Sequence, residues 1–221
     1  MRIYNYVKNN LNLTKSEVIA LDKEGLILVN DKKENLSRNI RDGEIITVNG
    51  KIVEPISFSY YLYNKPKGVI CTNNKNVKGN ILDNIDIGKR IYPIGRLDKD
   101  THGLLILTND NKLTHYVLES KKNEKEYLCI VKNKIDDNFL NSLTDSIIIH
   151  GKQTIPAKVK KKDDYSFYIT LMDGRYHEIR RLVIHGGNIL LDLERIRIGN
   201  IILKDLKLGE IKEIPNLKEL L

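Results

Sequence analysis

The sequence predicts an α+β protein. Short strand-like segments alternate with helical ones, but not in the strict strand–helix–strand order of a parallel α/β sheet. No internal repeat is visible. The 221 residues, 41% apolar and 30% charged, are enough to bury a real core. The longest apolar runs span four or five residues, such as Gly103–Leu107, far short of the ~20 a membrane span needs.

The elements follow in order. Thr14–Glu17 matches an S/T-x-x-E capping box and opens a helix ending near Gly25, with Val18, Ile19 and Leu21 available for one face. Leu26–Val29 and Glu44–Val48 read as strands, the second closed by the hairpin-type turn Asn49-Gly50. Pro55 marks a boundary, so residues 1–52 form a small unit, 53–58 a linker and 59–221 a larger domain. Tyr60–Tyr63 reads as a strand, Lys65–Gly68 as a turn, and Val69–Thr72 as a resumed strand before a polar loop at 73–80. Asp110 suits an N-cap for a helix carrying Leu113, Tyr116 and Val117. Tyr127–Val131 reads as a strand, and Phe139, Leu140 and Leu143 suit a helix. Phe167, Ile169 and Leu171 alternate as a strand. Arg175–His185 reads as a helix stopped by Gly186-Gly187, with late strands around Ile196–Ile198 and Ile201–Leu203.

Charge and composition narrow the function. Lys plus Arg exceeds Asp plus Glu by 37 to 29, a net +8, which suits a polyanionic partner but is also common in Lys- and Asn-rich proteins without one. Met1–Asn10 lacks the apolar core of a secretion signal. Cys71 and Cys129 stand alone, without C-x-x-C spacing, so neither a disulfide framework nor a cysteine zinc site is expected, and a reducing cytoplasm fits. No phosphate loop, dinucleotide fingerprint or nucleophile elbow is present. His177-Glu178 begins like a zinc-peptidase motif, but Arg181 stands where the second His belongs. No metal and no cofactor is therefore expected.

Three segments could carry chemistry. In Gly95-Arg96-Leu97-Asp98-Lys99-Asp100-Thr101-His102-Gly103, Asp98 sits on a glycine-bracketed loop before a buried strand, where it is either a nucleophile or base or a turn-forming cap. Tyr127, near the start of a strand, either stacks on a nucleobase or edges the core. The arginines of Asp173-Gly174-Arg175-Tyr176-His177-Glu178-Ile179-Arg180-Arg181 either pair with a carboxylate or phosphate or form a solvated helix face.

Taken together and in this order, these segments resemble the RsuA/RluB/RluF family of ribosomal RNA pseudouridine synthases over nearly the full chain. "GRLDKDTHGLLILTND" is close to the family's G-R-L-D-x-x-T-x-G-L motif, "YLYNKPKGVICT" resembles its N-K-P-x-G segment, and "EKEYL" and "DGRYHEIRR" resemble two later motifs. Residues 1–52 resemble the alpha-L RNA-binding motif that precedes the catalytic domain, although Tyr4 stands where that motif often has Asp. Asn111 likewise replaces a common Gly.

The resemblance implies a mixed, mainly antiparallel catalytic sheet of the pseudouridine synthase type. It implies that Asp98 is the catalytic aspartate, that Tyr127 packs against the target base, and that Arg180 pairs with Asp98. The uridine must be flipped out of its stack into a pocket. The isomerisation breaks N1–C1′ and joins C5 to C1′ without redox change. Ribosomal RNA is the expected partner, more plausibly of the large subunit, because "GKRIYPIGRLDKDTHGL" and "LERIRIGNI" resemble that branch, although "GRYHE" looks closer to the small-subunit branch. Transfer RNA is a further candidate substrate; a membrane partner is not expected, and a cytoplasmic monomer is. Backbone contacts are expected from Arg2, Lys15, Arg38, Arg96, Lys125, Arg175 and Arg181. A non-catalytic RNA-binding protein on the same fold is the alternative.

Overall fold

The computed structural model describes the chain except at residues 56, 73, 75, 86, 88–90, 111, 112, 115, 116, 118–122, 173 and 216–221. It divides into two compact units, Met1–Phe58 and Ser59–Leu221. Tyr116 and Asn111 lie outside the described residues. No helix among the described residues is long and apolar enough to cross a membrane.

The first unit packs helices α1 (Ile3–Asn10) and α2 (Lys15–Lys23) with an antiparallel sheet of β1 (Ile27–Val29), β2 (Ile46–Val48) and β3 (Lys51–Ile52). The capping box forms: the Glu17 N–H donates to Thr14 Oγ1 at 3.3 Å, and the Thr14 N–H donates to the Glu17 carboxylate at 2.6 Å. The Asn49-Gly50 turn has positive φ at both residues, as a two-residue hairpin with right-handed strand twist requires. Helix α1 was not foreseen; its only signal is Ile3 and Val7, spaced i, i+4 and both fully buried. Ile19, by contrast, is exposed, because the face of α2 that meets the core passes through Val18 and the half-buried Leu21.

The second unit is built on a nine-stranded sheet. Its strands are β4 (Tyr60–Lys65), β5 (Tyr92–Ile94), β6 (His102–Thr108), β7 (Lys125–Val131), β10 (Lys158–Lys161), β11 (Ser166–Leu171), β12 (Leu190–Ile198), β13 (Ile201–Ile202) and β14 (Ile211–Ile214). The order is β10-β11-β7-β12-β6-β4-β14, with β5 on β6 and β13 on β12. The pairing of β6 with β12 is parallel, and the other described pairs of this sheet are antiparallel. A hairpin of β8 (Ile148–Ile149) and β9 (Lys152–Gln153) and helices α3 (Asp137–Ser142) and α4 (Glu178–His185) complete the described elements, with a 3-10 turn at Ile81–Asn84. The fold is the α+β, mainly antiparallel architecture expected.

Three local readings need correction. Val69–Thr72 is not a strand: only Ile70 bridges, to Asn80, and the Thr72 N–H turns back to the Ile70 carbonyl. The helix expected over 175–185 begins at Glu178, because His177 adopts left-handed φ 56° and the Arg175 N–H donates to the Glu178 carboxylate at 2.8 Å. It ends at Gly186 as expected; a Cβ there would collide with Ser142 Oγ and lie 2.8 Å from the Phe139 ring. Strand β12 is far longer than Ile196–Ile198 because its charged residues find partners. Asp192 meets Lys67 and His102, Arg195 meets the Leu104 carbonyl, and Arg197 meets Glu126.

One row of residues crosses the sheet abreast: Val159, Ile169, Tyr127, Arg195, Gly103 and Lys65, from β10 to β4. Gly103 has φ 106°, and a Cβ on it would collide with the Arg195 carbonyl oxygen and lie 2.6 Å from the Arg195 nitrogen. Gly103→Ala should therefore destabilise the protein by about 2–4 kcal/mol through strain plus overpacking. Gly25→Ala, at φ 73° in open space, should cost only about 1 kcal/mol. Urea midpoints of the two variants check this; equal losses would remove the close approach as a cause.

Candidate active site

A cleft of about 560 Å³ opens on the second unit, within the range of small-molecule sites. Its floor is the face of the sheet that carries Tyr127 and Arg195, and its rim is the loop before β6 and the turn before α4. Asp98, Tyr127 and Arg180 all line it.

Asp98 lies on the loop between β5 and β6, which leaves β5 through Gly95 at φ 75°. The Thr101 N–H closes a turn on the Asp98 carbonyl at 3.1 Å. The side chain is 37% exposed. One carboxylate oxygen, Oδ2, faces two bases: Arg180 Nε at 3.8 Å and His177 Nε2 at 3.5 Å. Arg180 also donates from Nη2 to Thr101 Oγ1 at 3.5 Å, so it touches both ends of the turn that presents Asp98. Tyr127, on β7, is only 7% exposed, and its ring forms part of the wall.

The remaining expected residues separate into groups. Arg96, Lys125 and Arg175 line the same cleft, with Arg175 Nη1 donating to the Lys152 carbonyl at 2.6 Å. Arg181 is exposed on α4 outside the lining, and Arg2 and Lys15 are exposed on the first unit. Arg38 is committed inside that unit, to Glu44 at 2.9 and 3.0 Å and to Glu34 at 3.0 Å. Of the basic residues Lys158 and Lys160–Lys162, Lys158 pairs with Glu124 and Lys161 with Asp164.

Two cations that sequence reasoning passed over stand behind the loop. Lys65 is fully buried and donates to the Pro66 and Val69 carbonyls at 2.9 Å and to the Lys99 carbonyl at 3.4 Å. Burial pushes its ammonium pKa down, and the neighbouring Arg195 adds to this, while Cys71, Asp100 and Asp98 oppose it. Arg195, 2% exposed, donates to the Leu104 carbonyl at 2.7 Å and to the Arg96 carbonyl at 3.4 Å. The carbonyls of Arg96 and Lys99, which bracket Asp98, are thus both tied from behind. Lys65 is the K of the N-K-P-x-G segment, and its alternation at the end of a strand was a signal available in the sequence. Nothing in local pattern marks Arg195 among the four charged residues of β12. The sequence places Tyr176 and His177 in a helix, whereas the structure puts both on the cleft lining ahead of it.

The arrangement presents a braced, half-open carboxylate to a cleft with an aromatic wall. It suits attack on, or proton removal from, a flat polar ring and its sugar. Among the described residues, no group of three or more His, Cys, Asp or Glu could hold a metal ion.

Comparison with known proteins follows from the second unit outward. A family model described as RNA pseudouridylate synthase matches residues 59–185. The dual-specificity RNA pseudouridine synthase RluF of Escherichia coli strain K12 is 33% identical over 98% of this chain and 76% of its own length. The ribosomal small subunit pseudouridine synthase A of Haemophilus influenzae is 28% identical over 97% of this chain and 96% of its own length. A solved pseudouridylate synthase structure superposes with a TM-score of 0.68 at 28% identity, covering 100% of this chain and 98% of that one.

A network below the cleft gives a pH prediction. Asp192 accepts from Lys67 at 2.5 Å and meets His102 Nε2 at 3.1 Å, joining the Lys65–Gly68 turn to β12 and the start of β6. Burial alone would raise the Asp192 carboxyl, but the bonds from Lys67 and His102 outweigh it and hold the group below the usual aspartate range. A carboxyl depressed by folding stabilises above its unfolded pKa and loses that contribution as pH falls through the folded value. Asp192→Asn should therefore lower the urea midpoint at pH 7, and the gap from wild type should narrow as the pH falls below the usual aspartate range. A gap that persists unchanged in acid would show that Asp192 acts through shape and not charge.

Proposed function

The chain belongs to the RNA pseudouridylate synthase family and is an RNA pseudouridine synthase, and from that premise we propose that it isomerises a specific uridine of ribosomal RNA, with Asp98 starting the reaction. The carrying observation is the carboxylate of Asp98, open to the cleft at 37% exposure and braced by Arg180 at 3.8 Å, with Tyr127 on the same wall. The target nucleotide is flipped from its stack into this cleft. Tyr127 packs on the uracil face. Asp98 triggers cleavage of the N1–C1′ bond, either as a nucleophile whose bond to the nucleotide breaks again when the product forms, or as a base that later returns its proton. The uracil turns while held, C5 bonds to C1′, and the C5 proton leaves as N1 regains one. Atoms and electrons balance without an external reagent. Arg180 keeps the carboxylate aimed, and the ties from Lys65 and Arg195 keep its loop from relaxing.

The RNA itself is read by charge and by the first unit. Residues 1–52 hold nine Lys and Arg against seven Asp and Glu, so most of the net +8 belongs to the remainder of the chain. We assign the first unit, as an alpha-L type RNA-binding domain, to orienting the substrate more than to supplying charge. The large-subunit target rests on "GKRIYPIGRLDKDTHGL" and "LERIRIGNI". The second reading, a small-subunit target, rests on "GRYHE", which looks closer to that branch. Incubating the purified protein with each rRNA and with tRNA, then mapping pseudouridine by carbodiimide and primer extension, decides among them. No pseudouridine in any RNA, with binding intact, would favour the non-catalytic alternative.

Asp98→Asn removes the charge while keeping the shape. Tritium release from C5-labelled uridine RNA should fall about a thousandfold or more, while RNA affinity and the circular dichroism spectrum stay near wild type, because affinity comes mainly from backbone contacts elsewhere. Deleting Met1–Phe58 should leave a folded catalytic unit with its own core. Its rRNA affinity, measured by filter binding, should drop about tenfold or more, with a shallower dependence on salt. Unchanged affinity and site choice would remove the recognition role of the first unit.

A further inference from the structure

We infer that the Tyr176–His177 ring stack at the mouth of the cleft is a subsite for a nucleobase next to the target uridine, an inference that rests on the RNA-modifying reading above. Tyr176 lines the cleft yet is 60% exposed, so most of its ring stands open. It lies on His177 with ring centroids 3.9 Å apart and planes 16° apart, a true parallel stack. His150 stands at its edge, 6.0 Å away and tilted by 49°.

This platform is built and held. His177 and His150 both adopt left-handed backbone, φ 56° and 50°, which costs a non-glycine residue free energy and persists only when the surroundings impose it. Arg175 ties the two turns together through its bond to the Lys152 carbonyl. The inner ring, His177, faces the Asp98 carboxylate at 3.5 Å. Tyr176 is therefore one stacked layer out from the reacting centre. A base lying there belongs to a close neighbour of the flipped uridine, and not to the uridine itself, whose place is against Tyr127. Flipping a nucleotide removes a stacking partner from its neighbours; an aromatic face beside the hole restores that contact. Every base has a π-face, and aromatic platforms of this kind bind unpaired bases with little demand on identity.

The test is a binding cycle. Dissociation constants are measured for wild type, Tyr176→Ala and Tyr176→Phe with the rRNA stem–loop that the protein binds most tightly, intact or with a single abasic nucleotide at each loop position. Tyr176→Ala should weaken binding about tenfold, and Tyr176→Phe should stay within about twofold of wild type. One abasic position should weaken wild type by a similar factor and add nothing further in Tyr176→Ala. A Tyr176→Ala protein within twofold of wild type on intact RNA, or losses that multiply at every abasic position, would overturn the subsite. Because binding is the readout, this result stands apart from turnover: a wild-type protein that binds with this pattern but forms no pseudouridine sinks the catalytic reading and keeps the stack. Tyr176→Leu, which keeps bulk without a π-face, should bind like Tyr176→Ala; recovery to the Phe level would overturn the stacking account in favour of mere bulk.

Discussion

The parallel contact between β6 and β12 needs a residue without a side chain at position 103. There the β12 backbone passes so close that a Cβ would meet the Arg195 carbonyl oxygen. Gly103 also stands between Lys65 and Arg195 in the row that crosses the sheet. Lys65 and Arg195 are the two long cationic chains that flank this glycine. From there each reaches a carbonyl of the loop that carries Asp98. Sheet register, loop shape and the position of the Asp98 carboxylate therefore meet at one close approach.

Electrostatics explains why such a site tolerates two buried cations. Burying a charge without compensation costs several kcal/mol. Lys65 is compensated by three carbonyl oxygens and Arg195 by two, not by a carboxylate of their own. Carbonyl dipoles satisfy donors without neutralising charge, and one Arg195 nitrogen, Nη2, is buried without a hydrogen-bond partner. The acidic groups of β12 are handled in the opposite way. Asp192 is paired with the Lys67 ammonium and hydrogen-bonded to the His102 ring.

Much of this was legible in the sequence because local pattern and tertiary role agree. The capping box at Thr14–Glu17, the Asn49-Gly50 hairpin and the alternation of Phe167, Ile169 and Leu171 formed as read. The family resemblance brought Asp98, Tyr127 and Arg180 to one cleft. What stayed hidden depends on partners far along the chain. The charged β12 does not look like a strand until Lys67, His102, Leu104 and Glu126 are placed beside it. The early part of the segment 175–185 has helical spacing, but a bond from Arg175 to Glu178 and a left-handed His177 hold it as a turn. That local departure from helix is what turns His177 toward Asp98.

The lysines of β10 have a consequence unrelated to RNA. This strand is one outer margin of the nine-stranded sheet, and Lys158, Lys160 and Lys161 are exposed along it. An unpaired strand margin is a template on which another chain can extend the ladder. A second copy approaching through the same strand would set these lysines against their own like, and the repulsion would act before backbone bonds could form. The opposite margin, β14, carries Lys212 and Glu213, both exposed. Like charge along β10 thus opposes edge-to-edge pairing of two copies through this strand, although Lys158 and Lys161 each keep a carboxylate partner.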